Sequence, residues 1–218
     1  FALEIIRPVP QVSTPQAQAG TRFHAWAQRY LEAGVNPEYG ISQEAMAREV
    51  AHEAEAVEQA ERGGRPVPRE QRDLLIWKQR FLESAWSARE PAAVEQTVST
   101  FVSGIGKRVD AKLDAVFHGG LGDGTSGASG DARYTIIDWK TGSRPRNAQQ
   151  RAGKLAQLDM YRYFWALQKR IPMSQIDAAL YYVSEKDPAK ALVVAPQRSE
   201  AEVLAEMRAG VPEPDDND

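Results

Sequence analysis

A carboxylate and an ammonium group follow a short apolar segment in the middle of the chain. The segment Tyr134–Gly142 reads Tyr-Thr-Ile-Ile-Asp-Trp-Lys-Thr-Gly, and its β-branched and aromatic residues predict a buried strand. Because side chains alternate along a strand, Asp138 and Lys140 project to one side, and Trp139 turns into the packing. This pair suits metal-dependent phosphodiester hydrolysis, in which a carboxylate binds a divalent cation and a lysine orients water or neutralises charge.

The alternative for this segment is an incidental ion pair at an exposed strand end, since an Asp-x-Lys triplet is common. A second acidic residue on a neighbouring strand makes the catalytic interpretation more specific. Residues 107–117 alternate between a predicted core face and a charged face that carries Asp114. The predicted core face consists of Val109, Ala111, Leu113, Ala115 and Phe117, and the opposite face of Arg108, Asp110, Lys112, Asp114 and Val116.

A Gly/Ser/Asp-rich stretch, residues 118–133, separates the two acidic strands and predicts a hairpin connection. If the hairpin closes there, Asp114 lies beside Asp138. Asp110 and His118 share the charged face with Asp114 and are alternative ligands. Glu95 lies in the preceding β-rich run and is considered only for a supporting position behind the ligands.

Positive charge is concentrated directly after the Asp-x-Lys triplet. Between residues 139 and 156 there are five basic residues and no acidic one, namely Lys140, Arg144, Arg146, Arg151 and Lys154. This basic strip predicts contacts with phosphates, although a solvated loop has the same composition. The net charge of -3 and the sequence pI of about 5.8 argue against a strongly adhesive nucleic-acid binder.

Helices surround these strands in the predicted arrangement. The first helix begins near Pro15 and ends at Gly34 to Pro37, and a second, Gln43–Arg62, is polar nearly all round and therefore solvent-facing. A third carries an apolar stripe from Arg69 to Ala88, and a fourth runs from Gln149 to Lys169. Strands at residues 176–183 and 191–195 and a helix at 200–208 complete the prediction.

Four short motifs, in this order, resemble those of the RecB-like branch of the PD-(D/E)XK nucleases. They cover residues 20–161 and are Gly20-Thr21-Arg22-Phe23-His24, Leu113-Asp114-Ala115-Val116-Phe117, Ile136-Ile137-Asp138-Trp139-Lys140-Thr141-Gly142 and Gln157-Leu158-Asp159-Met160-Tyr161. The resemblance implies an α/β fold with a restriction-endonuclease-like core, in which helices flank a mixed central sheet after a helical N-terminal section. The interval between the two acidic motifs is longer and richer in Gly and Ser than is usual in this branch.

The resemblance also implies roles for particular residues. It implies an Mg²⁺ or Mn²⁺ ion held by His24, Asp114, Asp138 and the carbonyl of Trp139, with Lys140 acting on water or phosphate. Gln157 and Tyr161, four residues apart on one helix, share a face towards the site or a bound strand. The iron–sulfur cluster of some relatives is excluded, because the chain has no cysteine.

The expected organisation is one folded domain, with a helical section over residues 1–90, an α/β core over 91–210 and a disordered acidic tail over 211–218. The resemblance is closest to the C-terminal nuclease module of AdnB-type helicase–nuclease subunits. It implies single-stranded DNA as substrate, a helicase motor on the same polypeptide, a second helicase–nuclease subunit and a role in double-strand break repair. A first residue other than Met fits an excised fragment.

We expect no membrane span, because no stretch approaches about 20 apolar residues, and a cytoplasmic, bacterial location. The alternative function is a catalytically silent module that guides single-stranded DNA or bridges subunits.

Overall fold

The computed structural model describes residues 14–36, 40–102, 106–122 and 131–209. Three helices come first: α1 (Pro15–Val35), α2 (Gln43–Arg62) and α3 (Arg69–Glu83). The first two begin where the sequence predicts, because the Thr14 and Ser42 side chains accept hydrogen bonds from backbone amides in the first turns. Residues 1–13, the middle of the interval 118–133 (residues 123–130) and the acidic tail lie outside the described residues.

Two predictions about the helices are wrong. The third helix ends at Glu83 rather than Ala88, because the Ser84 and Ser87 hydroxyls donate to carbonyls of the last turn and compete with its continuation. The second helix is not solvent-facing all round, since its Met46 and Val50 are buried against the neighbouring helices. Two apolar residues one turn apart are therefore enough to dock an otherwise polar helix.

A five-stranded mixed sheet follows the helices, in the order β1-β2-β3-β4-β5. The strands are β1 (Pro91–Val102), β2 (Lys107–His118), β3 (Tyr134–Lys140), β4 (Ile176–Tyr182) and β5 (Leu192–Val194). Neighbouring strands are antiparallel except β3 and β4, which are parallel and are joined through α4 (Ala148–Lys169). The short α5 (Pro188–Ala191) precedes β5, and α6 (Glu200–Ala209) ends the described chain. The predicted α/β fold class is confirmed.

The sheet separates two apolar clusters. On one side α4 and α6 pack against Leu113, Ile136 and Leu180, and on the other α1 to α3 pack against Ile137 and Trp139. Alternation along β3 supplies both clusters, as expected for a central strand that is covered on both faces. The helical N-terminal section is thus one outer layer of the same fold.

The predicted alternation of β2 is only partly correct. Ala111 and Leu113 belong to the cluster on the α4 side, whereas Ala115 and Phe117 belong to the cluster on the α1–α3 side. The interruption falls at Asp114, where the partner strand is also irregular. Glu95, which the β1–β2 register places opposite Asp114, has a φ of 47°, an uncommon conformation for a residue with a side chain. At the position of the acidic residues, this irregularity changes the direction in which the side chains point.

Candidate active site

Asp138 and Lys140 share one side of β3, as predicted, and Trp139 packs on the other against Phe81 with ring centroids 5.3 Å apart. The Lys140 Nζ lies 2.5 Å from Asp138 Oδ2. The expectation of an exposed strand end is wrong, because Asp138 is only 5 % exposed. Its buried Oδ2 has the ammonium of Lys140 as its charged partner.

Asp114 lies opposite Asp138, because the β2–β3 register pairs Ala115 with Ile137 at the adjacent position. Asp114 Oδ2 accepts a hydrogen bond of 2.8 Å from the backbone N–H of Trp139. A carboxylate thereby takes the place of a backbone acceptor at this point of the ladder. The predicted proximity of the two carboxylates is confirmed.

His24 reaches this point from α1. Its Nδ1 lies 3.4 Å from Asp114 Oδ2. One turn earlier, Gly20 allows the helix to approach the end of β3, since a Cβ at this position would lie 2.9 Å from Thr141 Oγ1. The glycine and histidine of the first motif therefore have separate tasks: Gly20 sets the distance of the helix from the sheet, and His24 enters the site.

Glu95 belongs to the same group, which the sequence analysis underestimated. Ligand atoms of His24, Glu95 and Asp114 all lie within 4.8 Å of one another, a spacing that a metal ion could bridge. Glu95 also forms an ion pair with Lys112, and its side chain is only 10 % exposed. The feature of the sequence that could have indicated this role of Glu95 was its place in the hairpin, opposite Asp114. Asp138 is not part of this group of three.

The carboxylates and His24 influence each other's protonation. Burial raises the pKa of Asp138, and the charge of Asp114 raises it further, whereas Lys140 and His24 act in the opposite direction. Burial alone would lower the pKa of His24, but hydrogen bonding to Asp114 and the surrounding carboxylates raise it above its usual value. Such mutual shifts are expected where several carboxylates and an imidazole converge in a partly buried place.

The fourth motif lies on α4 and faces the same region. The pKa of Tyr161 is raised, first by burial and then by the charges of Asp138 and Asp114. Gln157 is half-buried one turn earlier. Between them, Asp159 accepts a hydrogen bond from the buried Arg162, whose Nε donates to the carbonyl of Ile176 at 2.9 Å. These contacts fix the rotation of α4 relative to β4, so Tyr161 is held towards the carboxylates.

The basic strip surrounds the beginning of α4. Arg144 Nη1 donates to the carbonyl of Lys190 at 3.0 Å, and Lys154 Nζ lies 5.9 Å from the centroid of the Tyr182 ring. Arg146 and Arg151 are exposed. The alternative ligands Asp110 and His118 are exposed as well, and the β1–β2 register places Asp110 opposite Ser99, away from the group around Asp114.

A groove of about 870 Å³ begins where β3 ends. Its walls come from the first turn of α1, from α3 and from the segments after β3 and β4, and its lining includes Ala17, Asp73, Arg80, Thr141, Ser143 and Lys186. The groove lies on the α1–α3 side of the sheet, and neither Asp138 nor Lys140 lines it.

A mixed sheet between helices, with two carboxylates and a lysine on adjacent strands, is the arrangement of a phosphodiester-cleaving nuclease. The family model of the PD-(D/E)XK nuclease superfamily matches residues 1–215, and the chain belongs to this superfamily. Its members are hydrolases of phosphodiester bonds that generally use divalent metal ions. No curated protein matches the chain significantly. No helix of the described part of the chain is long and apolar enough to cross a membrane.

Proposed function

We propose that this chain hydrolyses DNA phosphodiester bonds with Mg²⁺ or Mn²⁺. The observation that carries the proposal is the convergence of His24, Asp114, Asp138 and Lys140, which come from three elements of a nuclease fold. Carboxylate oxygens and one imidazole nitrogen are suitable donors for these cations. Asp138 and Asp114 place two carboxylates opposite each other, and a bound cation would neutralise their charge.

His24, Asp114 and Asp138 would hold the ion. The Trp139 carbonyl is a suitable further donor, because the N–H of Trp139 bonds to Asp114 and both polar groups of a strand residue point to the same neighbouring strand. Glu95 lies close enough to His24 and Asp114 to contribute. When bound, the cation stabilises negative charge on the reacting phosphate and lowers the pKa of a water molecule.

Lys140 is the catalytic cation of the protein. Ion pairing with Asp138 holds its ammonium at the reacting centre, where it orients the attacking water or neutralises charge that develops on the phosphate. Gln157 and Tyr161 position the strand from α4. The basic strip, comprising Lys140, Arg144, Arg146, Arg151 and Lys154, binds neighbouring phosphates and adds a salt-dependent contribution to affinity.

The finer assignment to the RecB-like branch is supported by the four motifs and their order. On this basis we propose single-stranded DNA as the substrate, attachment to a helicase motor as in AdnB-type subunits, and a second helicase–nuclease subunit as partner. The corresponding role is end resection in double-strand break repair in the bacterial cytoplasm. We treat the helical section (residues 1–90) and the α/β core (91–210) as one functional unit, because His24 of the former meets Asp114 of the latter.

Degradation of end-labelled single-stranded DNA by the purified chain, with Mg²⁺ or Mn²⁺ and with EDTA as control, tests this function. We expect cleavage only with metal, and anomalous density for Mn²⁺ between His24, Asp114 and Asp138. Density elsewhere with this cluster empty would refute the metal site. Mn²⁺ bound at the cluster without cleavage, also within the parent polypeptide, would favour the silent module.

A further inference from the structure

A buried polar atom without a hydrogen-bond partner among the described residues lies at the end of the sheet that carries Asp138 and Lys140. It is the hydroxyl of Tyr182. The β3–β4 register pairs Tyr182 with Lys140, two residues beyond Asp138. Asp138 has an expected partner in the metal, but Tyr182 has no role in the mechanism described above.

Tyr182 is 1 % exposed, and its ring packs in the cluster on the α4 side of the sheet. A buried hydroxyl without a hydrogen-bond partner destabilises the folded state. Burial is the largest cause that raises the pKa of Tyr182, with Asp138 adding to it and Arg144 and Arg151 opposing it. The hydroxyl is therefore protonated at neutral pH and is a hydrogen-bond donor.

Cationic side chains lie near Tyr182, together with the carboxylate of Asp138. Arg144 and Arg151 are close enough to act on the pKa of Tyr182, and Lys154 Nζ lies 5.9 Å from the ring centroid. The hydroxyl also lies by the start of α4, a helix of 22 residues whose first turn contains no acidic residue. The positive end of the helix dipole adds to the field of the side chains. A donor among cations at a helix N-terminus is a suitable place for an anion.

We propose that the Tyr182 hydroxyl, Arg144, Arg151 and the first turns of α4 form a subsite for a phosphate of the bound strand, next to the phosphate that reacts. The inference rests on the proposed function, because it takes DNA as the ligand. Because the hydroxyl is buried, the subsite requires that the long side chains of Arg151 and Lys154 turn towards the phosphate when the strand binds. Tyr182 is thus a positioning residue that donates one hydrogen bond to a phosphate oxygen.

Tyr182→Phe tests the subsite, and Tyr181→Phe is the matched control. Tyr181 is the adjacent residue of β4, but it packs on the α1–α3 side against Trp139 and hydrogen-bonds with Ser84. Both substitutions remove one hydroxyl from one strand. The two hydroxyls lie on opposite sides of the sheet. The hydroxyl of Tyr181 already has a partner in the protein, and that of Tyr182 has none among the described residues.

Binding is measured by fluorescence anisotropy of a labelled single-stranded deoxyoligonucleotide with Mg²⁺ present, in an Asp138→Asn background so that the strand is not consumed. We expect Tyr182→Phe to weaken binding about tenfold, since a hydrogen bond to a charged group contributes about 1.5 kcal/mol or more. The salt dependence should stay unchanged, because the hydroxyl is neutral and displaces no counterion. The melting temperature should stay the same or rise. Tyr181→Phe should bind normally and melt at a lower temperature.

Normal binding by Tyr182→Phe, with or without a lower melting temperature, would overturn the subsite, since the hydroxyl would then have only a structural partner such as an internal water. The result is independent of cleavage. If the wild-type chain never cuts DNA but Tyr182→Phe binds the oligonucleotide tenfold more weakly, the subsite stands and the proposed hydrolysis fails. If the wild-type chain cuts DNA and Tyr182→Phe binds the oligonucleotide normally, the proposed hydrolysis stands and the subsite fails.

Discussion

Replacement of Asp138 by Asn should stabilise the metal-free protein and abolish its activity. The carboxylate is 5 % exposed and Asp114 lies opposite it, and its ion pair with Lys140 offsets these effects only in part. Burial and the charge of Asp114 disfavour its ionised form, so its pKa is raised. An amide has nearly the same shape without the charge. We expect the free energy of unfolding at pH 8 to rise by about 0.5–2 kcal/mol, the usual gain when a strained functional group is relieved.

The sign of the pH dependence follows from the direction of the shift. A carboxyl whose pKa is raised in the folded state favours folding below the unfolded pKa of about 3.9, and this contribution is lost as pH rises through the folded pKa. In the wild type, the unfavourable free energy of the ionised Asp138 is therefore present in full at pH 8 and absent at a pH well below about 3.9. The gain of Asp138→Asn in melting temperature should be a few degrees at pH 8 in EDTA and should shrink towards zero in acid.

Mn²⁺ should reverse the order of the two proteins. At a concentration one hundred times the dissociation constant, a bound ion stabilises wild type by about 2.7 kcal/mol, or about 5–11 °C for a chain of this size. Asp138→Asn lacks a ligand and should show little Mn²⁺-dependent shift. Cleavage should fall at least about a hundredfold, because loss of about 3 kcal/mol of transition-state stabilisation has this effect.

Asp177→Asn is the matched control. Asp177 is also buried, on β4, but it accepts hydrogen bonds of 2.9 Å from the backbone N–H of Leu121 and from Gln197 Nε2. This substitution should lower the melting temperature and preserve cleavage and the Mn²⁺ shift. The reasoning is refuted if Asp138→Asn melts at a lower temperature in EDTA at pH 8, or if it cleaves as wild type does.

Two further predictions concern the cations of the site. Lys140→Ala should reduce cleavage by about 10²–10³-fold, as loss of a charge-stabilising group does, while the Mn²⁺-dependent shift in melting temperature persists; loss of that shift would make Lys140 a support of the metal site instead. Replacement of Arg144 and Arg146 by Ala should weaken binding of single-stranded DNA and reduce the slope of log affinity against log salt by about 1–2. An unchanged slope in titrations from low to high salt would identify the strip as a solvated loop.

The elements with strong local signals were predictable from the sequence. The capping residues Thr14 and Ser42 made the starts of α1 and α2 predictable. The apolar run that begins at Tyr134 made β3 predictable. The face shared by Asp138 and Lys140 follows from the two-residue period of a strand alone. The end of α3 was less predictable, because two serine hydroxyls and the packing of Trp86 against Phe117 compete with an apolar pattern that continues past Glu83.

The sequence alone determined which residues we propose for the chemistry, since residue type and short-range spacing define the four motifs around His24, Asp114, Lys140 and Tyr161. Only the tertiary structure decided how these residues meet. The entry of Glu95 depends on the hairpin register and on a backbone irregularity, and neither leaves a local pattern. The burial of Asp138 beneath other elements and the unpartnered hydroxyl of Tyr182 are long-range properties, because they depend on which side chains from distant segments exclude water.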